Sequence, residues 1–322
     1  YHDGVYVLVS SQDGAIVTAT NLVTPGTFAI QTLTNAKPRA VEFGAGRFVV
    51  ASEGGAMLSS TNGYDWESHG ASGPYVSLAY GDGRFVAVGS RTSAVSTNGT
   101  DWVTSQELPL FIQDVVHGNG IFLASGSRTN AVSADGISWE PYVLPSGNGF
   151  YAVGFGDGKF IGIQITTSTD DNVLISYDGR NWSSHGRVGV IRSSRIAWGN
   201  GYFVTVAAQA RAYSADGFSW TVMTANQPGS SVEFVNGRFV APAFKSLFES
   251  DPVVRVTLDS DELRVDSVAG RAIQIEAVDA LTDTWQPLGP ASQANVSGEV
   301  FVKLPRGAGQ RFFRAVLRDD VE

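Results

Sequence analysis

The sequence predicts an all-β protein: a seven-bladed β-propeller of four-stranded antiparallel blades, followed by a small β-sandwich-like C-terminal domain. Three observations carry this. An apolar–G-[DN]-G–apolar motif recurs seven times at spacings of 36–43 residues. A second turn, S-x-[DN]-G-x-x-W, follows it five times at a fixed offset. No stretch shows the apolar periodicity of an amphipathic helix. Four antiparallel strands per unit at this period describe a propeller blade, whereas a β-helix repeats at much shorter intervals.

In chain order the first motif reads YHDGVYVLV, FGAGRFVVA, YGDGRFVAV, HGNGIFLAS, FGDGKFIGI, WGNGYFVTV and FVNGRFVAP. Its second glycines are Gly4, Gly46, Gly83, Gly120, Gly158, Gly201 and Gly237. Asp-Gly or Asn-Gly between two alternating apolar runs specifies a tight hairpin, because a type I′ turn needs φ > 0 at both central residues. Six copies have the pair, from Asp3-Gly4 to Asn236-Gly237. The second copy has Ala45-Gly46, which predicts a poorer turn.

The second motif reads STNGYDW, STNGTDW, SADGISW, SYDGRNW and SADGFSW. Its side-chain oxygens, on Asn62, Asn98, Asp135, Asp178 and Asp216, are suited to cap backbone N–H groups of the turn. Its tryptophans, Trp66, Trp102, Trp139, Trp182 and Trp220, each open the next strand with a large apolar face. The first unit keeps only a decayed version near Thr18–Asn21, and the last has the stub Ser250-Asp251-Pro252. Residues 253–322 carry neither motif but alternate as strands: VVRVTL, LRVDSV, RAIQIEAV, EVFVKL and RFFRAVL. Two domains are expected, 1–252 and 253–322.

The second turn resembles the Asp-box of secreted bacterial neuraminidase-type repeat propellers, one residue shorter than the usual S-x-D-x-G-x-x-W. The tail string GRAIQIEAVDALTDTWQPLG, followed by QRFFRAVL, resembles a small β module that ends long extracellular bacterial proteins. Ala272 stands where that module has an aromatic residue, and Trp285 is expected in its core. The resemblance implies a secreted or cell-surface bacterial protein. A propeller of this kind closes by completing a blade from both chain ends. Tyr1 already lies at the end of an innermost strand. Closure is therefore expected to use upstream residues, with Val253–Leu258 as the alternative outer strand.

Composition removes several function classes. The 322 residues contain no cysteine, which excludes disulfides, thiolate metal sites and thiol nucleophiles. A net charge of −9 argues against nucleic acid or an anionic membrane surface as the main partner. No G-x-S-x-G, P-loop or H-E-x-x-H motif is present. His2, His69, His117 and His185 are far apart, and His117 fills the aromatic slot before G-N-G, a structural position. Nothing calls for a cofactor. A sialidase needs an arginine trio, but Arg47, Arg84 and Arg238 follow the hairpin glycines, on the wrong face, and the family's N-terminal F/Y-R-I-P motif is missing.

The hairpins and the S-x-[DN]-G turns share one face of the propeller, and the remaining, more variable loops share the other. Binding residues are expected on the variable face. There GSRTSAVS and GSRTNAVS place Arg91 and Arg128 at equivalent points of adjacent blades, suited to clamp a carboxylate or sulfate. Glu53, Gln209, Tyr75, Phe111 and Tyr151 join the ligand-binding candidates, the aromatics as stacking surfaces for a sugar. Asp170 and Asp171 in the one large insertion are weak candidates for a hard cation. The innermost strands offer Arg39, Glu42, Gln113, Asp114, Arg192, Arg195 and Glu233 to the central channel. The expected function is a non-catalytic extracellular module binding a glycan or a protein. The alternatives are a polysaccharide-active enzyme with channel carboxylates and a subunit of an extracellular assembly joined through the tail or an open blade edge.

Overall fold

The computed structural model describes residues 1–10, 14–20, 28–33, 37–71, 73–105, 108–109, 112–164, 172–188, 195–207, 210–224, 231–243 and 246–249, together with the backbone of the strands between 255 and 318. Seven consecutive antiparallel sheets form the blades. Blade 1 has three strands, Tyr6–Ser10, Ala15–Ala19 and Phe28–Thr32. Blades 2 to 6 have four each, with inner strands Pro38–Gly44, Tyr75–Gly81, Ile112–Gly118, Phe150–Gly156 and Arg195–Gly199. Blade 7 has Glu233–Val235, Arg238–Ala243 and Ser246–Glu249. Strand order within every blade follows the sequence, as an up-and-down meander requires.

In the C-terminal segment Arg255–Asp259 pairs with Glu262–Asp266, which pairs with Glu299–Lys303. Arg255–Asp259 therefore belongs to this sheet and does not serve as the outer strand of blade 7. Ala272–Val278 pairs with Phe312–Arg318 over seven residues. The chain divides into two compact units, one of Tyr1–Trp198, Tyr202–Glu233 and Ala241–Leu247, the other of Gly199–Gly201, Phe234–Val240 and Phe248–Glu322.

The hairpin motif builds a joint between blades. Asp82, Asn119, Asp157, Asn200 and Asn236 all take φ between 42° and 49°, and Ala45 does the same at 46°. Ala45 is thus held in a left-handed conformation without the side-chain oxygen that makes it tolerable for Asp or Asn. The residue before the first glycine is an aromatic ring in most copies, and it packs on the Phe five residues later. Ring centroids lie 4.9 Å apart for Phe43–Phe48, 4.7 Å for Tyr80–Phe85 and for His117–Phe122, 4.8 Å for Phe155–Phe160 and 4.2 Å for Trp198–Phe203. Each ring also lies flat against the first glycine of the preceding hairpin: Tyr80 on Gly44, His117 on Gly81, Phe155 on Gly118, Trp198 on Gly156. A Cβ on any of these glycines would enter the ring. The first glycine of G-[DN]-G is therefore needed for close approach, and the second for its positive φ. In blade 1 His2 occupies the glycine slot, and Phe43 stacks on it at 3.8 Å and 16°.

The second turn makes another joint. Its glycine presses on the preceding blade, Gly136 against Val86 and Val95, and Gly217 against Ile161. Ser93 Oγ donates to Gly136 O at 3.0 Å and accepts from Trp139 Nε1 at 3.0 Å, tying two blades through a buried hydroxyl. Between these joints the sheets bury continuous apolar clusters. One joins Val86, Val88 and Val95 of blade 3 to Val115, Phe122 and Trp139 of blade 4.

Candidate functional site

At the hairpin end, the polar side chains are consumed by the fold. In blade 5 Asp178 Oδ1 accepts the backbone N–H groups of Arg180 at 2.9 Å and Asn181 at 2.8 Å, and the Ser176 hydroxyl at 3.0 Å. The N–H of Asn181 is the main cause that holds the Asp178 carboxyl well below the usual carboxylate range. Asn62, Asn98, Asp135 and Asp216 repeat the pattern. Trp66, Trp139, Trp182 and Trp220 donate Nε1–H back to the turn glycine carbonyl at 2.9–3.1 Å. Trp102 Nε1 has no such partner. Arg47 is bound within its own blade, to Ser59 Oγ at 3.1 Å, and Arg84 to the next blade, at Asp135 O, 3.5 Å, which removes them from any catalytic trio.

The loop face differs. Arg91 and Arg128 are exposed, and among the described residues neither guanidinium is hydrogen-bonded or ion-paired. Arg91 sits at φ 65° with its N–H on Pro109 O at 3.2 Å. Glu53 is exposed and its N–H donates to Lys37 O at 2.9 Å. The structure also supplies a feature that sequence reading missed. Each inner strand of blades 2 to 5 starts with a β-bulge, between Pro38 and Ala40, Tyr75 and Ser77, Ile112 and Asp114, and Phe150 and Ala152. The extra residues are Arg39, Val76, Gln113 and Tyr151, of which Arg39 and Gln113 are exposed and Tyr151 half-buried. Bulges re-aim side chains at strand ends. No local sequence signal marks these four, because the register slip depends on the neighbouring strand.

Tyr75 must be corrected. Its ring is fully buried in the core of blades 2 and 3, so it offers no stacking surface. The bulge leaves Tyr75 opposite Gly89 and Val76 as the extra, half-buried residue. Phe150 is likewise buried, against Trp182 at 4.5 Å. Phe111, Gln209, Asp170, Asp171 and Arg192 lie outside the described residues.

The inner strands bring four of the channel candidates together. Arg195 Nε donates to Glu233 Oε1 at 2.6 Å, and its Nη1 lies 3.7 Å from Asp114 Oδ1. Asp114 Oδ1 also accepts Ser77 Oγ–H at 2.7 Å and the Val115 N–H at 2.9 Å. Side chains from blades 3, 4, 6 and 7 thus meet around one guanidinium. Burial pushes the Glu42 carboxyl up to about 7, and the neighbouring Glu233 charge adds to this. Sequence alternation named these residues as channel candidates; only the ring of blades shows that they share one cluster.

No protein-family model matches the chain, and no curated protein matches it. Solved structures do. The extracellular domain of a proposed one component system from B. thetaiotaomicron aligns with TM-score 0.61 at 10% identity, over 98% of this chain and 54% of that one. The WD40 β-propeller domain of Doa1 aligns with TM-score 0.58 at 15% identity, over 77% and 88%. This chain has the β-propeller fold. YCF48 bound to a D1 peptide gives TM-score 0.57 at 15% identity, over 76% and 88%. At such identities the likeness of this propeller to the others is one of fold.

Proposed function

We propose that the chain is a non-catalytic binding module that takes an extracellular partner, a glycan or another protein, on its loop face. The observation that carries this is the contrast between the two ends: the hairpin end spends its polar side chains on turns and joints, while Arg91, Arg128 and Arg39 on the other end are exposed without partners among the described residues. The Asp-box character of the second turns, a secreted bacterial setting and a domain boundary near residue 252 belong to the same reading. The YCF48 structure, in which a propeller of this fold holds a peptide, supports the protein-binding form. Self-assembly is its narrower form, supported by the outer strand Phe28–Thr32, which exposes all five residues. A glycan array and a binding screen against secreted proteins, both with the full chain, test the reading. Retained binding that Arg91→Ala/Arg128→Ala abolishes is expected; absence of any glycan or protein ligand overturns it.

A second reading rests on the channel. A Glu42 carboxyl pushed up to about 7 by burial and by the neighbouring Glu233 is suited to acid/base chemistry. Hydrolysis of a polysaccharide panel that both Glu42→Gln and Glu233→Gln abolish would establish it. The Arg195 clamp on Glu233 and Asp114 favours instead a structural strut across the channel.

A further inference from the structure

The two ends of this propeller treat their charges differently. The hairpin end carries Asp3, Asp65, Asp82, Asp101, Asp135, Asp157, Asp178 and Asp216, placed there by the two turn motifs, and its cations Arg47, Arg84, Lys159 and Arg180 each have a hydrogen-bonding or ion-pair partner. The loop end of blades 2 to 4 carries Lys37, Arg39, Arg91 and Arg128, all exposed. Among the described residues of those loops Glu53 is the one carboxylate, and none of the four cations has a hydrogen-bonded or ion-paired side chain. A protein of net charge −9 therefore presents a cationic band on one face. A like-signed exposed group repels its neighbours and gains nothing for the fold. The bulges of blades 4 and 5 extend the band with exposed Gln113 and half-buried Tyr151.

We infer that this band is a binding surface for a carboxylated polysaccharide, a polymer of uronic acids. The inference rests on the loop-face reading above and names its ligand. Guanidinium forks match carboxylates in a bidentate geometry. Arg91 and Arg128 hold equivalent sequence positions in adjacent blades, so two guanidiniums are offered side by side to a ligand that carries more than one carboxylate. Gln113 meets sugar hydroxyls, and Tyr151 presents a ring to a pyranose face. A sulfated polysaccharide or an acidic peptide shares the charge, but they differ in oxyanion shape and in the sugar ring.

The experiment measures binding of the full chain to polygalacturonate, dextran sulfate, neutral dextran and polyglutamate by biolayer interferometry at low and at raised salt. Polygalacturonate is expected to bind best, with affinity falling steeply with salt. Arg91→Ala and Arg128→Ala each weaken binding about tenfold. Arg180→Ala, on the hairpin face beside Glu140, leaves it unchanged. The cations are exposed, so thermal unfolding confirms that each variant stays folded. Equal binding of polyglutamate or dextran sulfate overturns the polyuronate assignment, as does insensitivity to the arginine variants. Loss of the polyuronate result while another glycan or protein still binds at the loop face leaves the module reading standing; loss of every ligand removes both.

Discussion

Replacing Gly118 by alanine puts a methyl group inside the ring of Phe155, which lies flat on that glycine from the next blade. Carbon atoms settle about 3.5–4.0 Å apart, so the ring must withdraw by more than about 1 Å. Behind it stands Phe160, with ring centroids 4.8 Å apart, and Phe160 is fully buried. The ring cannot retreat without parting two blades, so the cost belongs at the upper end of overpacking, about 3 kcal/mol. Gly120, two residues on, has φ 75° and nothing within 4 Å of an added Cβ. Its replacement by alanine meets only backbone strain, about 1 kcal/mol. Phe155→Ala alone loses a half-buried ring, about 2 kcal/mol. The pair Gly118→Ala/Phe155→Ala should cost little more than Phe155→Ala alone, because the added methyl then fills the space that the ring leaves. Urea unfolding of the four variants measures this as a coupling of about 3 kcal/mol in a double-mutant cycle. If Gly118→Ala costs no more than Gly120→Ala, or if the pair is additive, the joint does not work as described.

Ala45→Asn should stabilise by about 0.5–1 kcal/mol, because Asn tolerates the φ of 46° that Ala45 must hold, and a rise of roughly 1–4 °C in Tm would show it. Glu42 binds its proton more tightly in the folded state than the ordinary 4.5, so stability should fall as pH rises from about 4.5 to about 7 and level off above. Glu42→Gln flattens that slope and gains about 1–2 kcal/mol at pH 8, read from urea midpoints across pH; an unchanged slope refutes it. Asp178→Ala should cost about 1 kcal/mol, and Asp178→Asn less, since Asn62 and Asn98 fill the same slot in blades 2 and 3. The Asp178 carboxyl is depressed, so its contribution is present at neutral pH and should fade under acid titration; the Asn variant should lack that acid loss.

Most of the architecture was legible because it is local. A tight hairpin needs particular residues at particular φ values, and those residues recur in the string itself. The capping role of Asn62 through Asp216 follows from side-chain reach alone. The Gly–aromatic joint was half legible: its members stand side by side in FGAG, YGDG and HGNG, but the ring that fills each glycine's space comes from the next repeat. The bulges were not legible, since a register shift is a property of two strands. Nor was the burial of Tyr75, which depends on residues of two blades packing around its ring. Among channel residues, alternation narrowed the candidates, and ring closure chose Asp114, Arg195 and Glu233 as partners.

The Gly–aromatic joint has a direction. Blade 2 offers a flat glycine and blade 3 lays its ring upon it, and blades 3, 4 and 5 repeat the same handshake. Because donor and receiver are the same at each of these steps, a repeat copied in frame between blades 3 and 5 would find matching neighbours on both sides. Tandem duplication can thus lengthen such a chain without inventing an interface. His2 in the glycine slot of blade 1 breaks that interchangeability: Phe43 stacks on an imidazole there, so the first joint fits one partner and cannot be traded with the others.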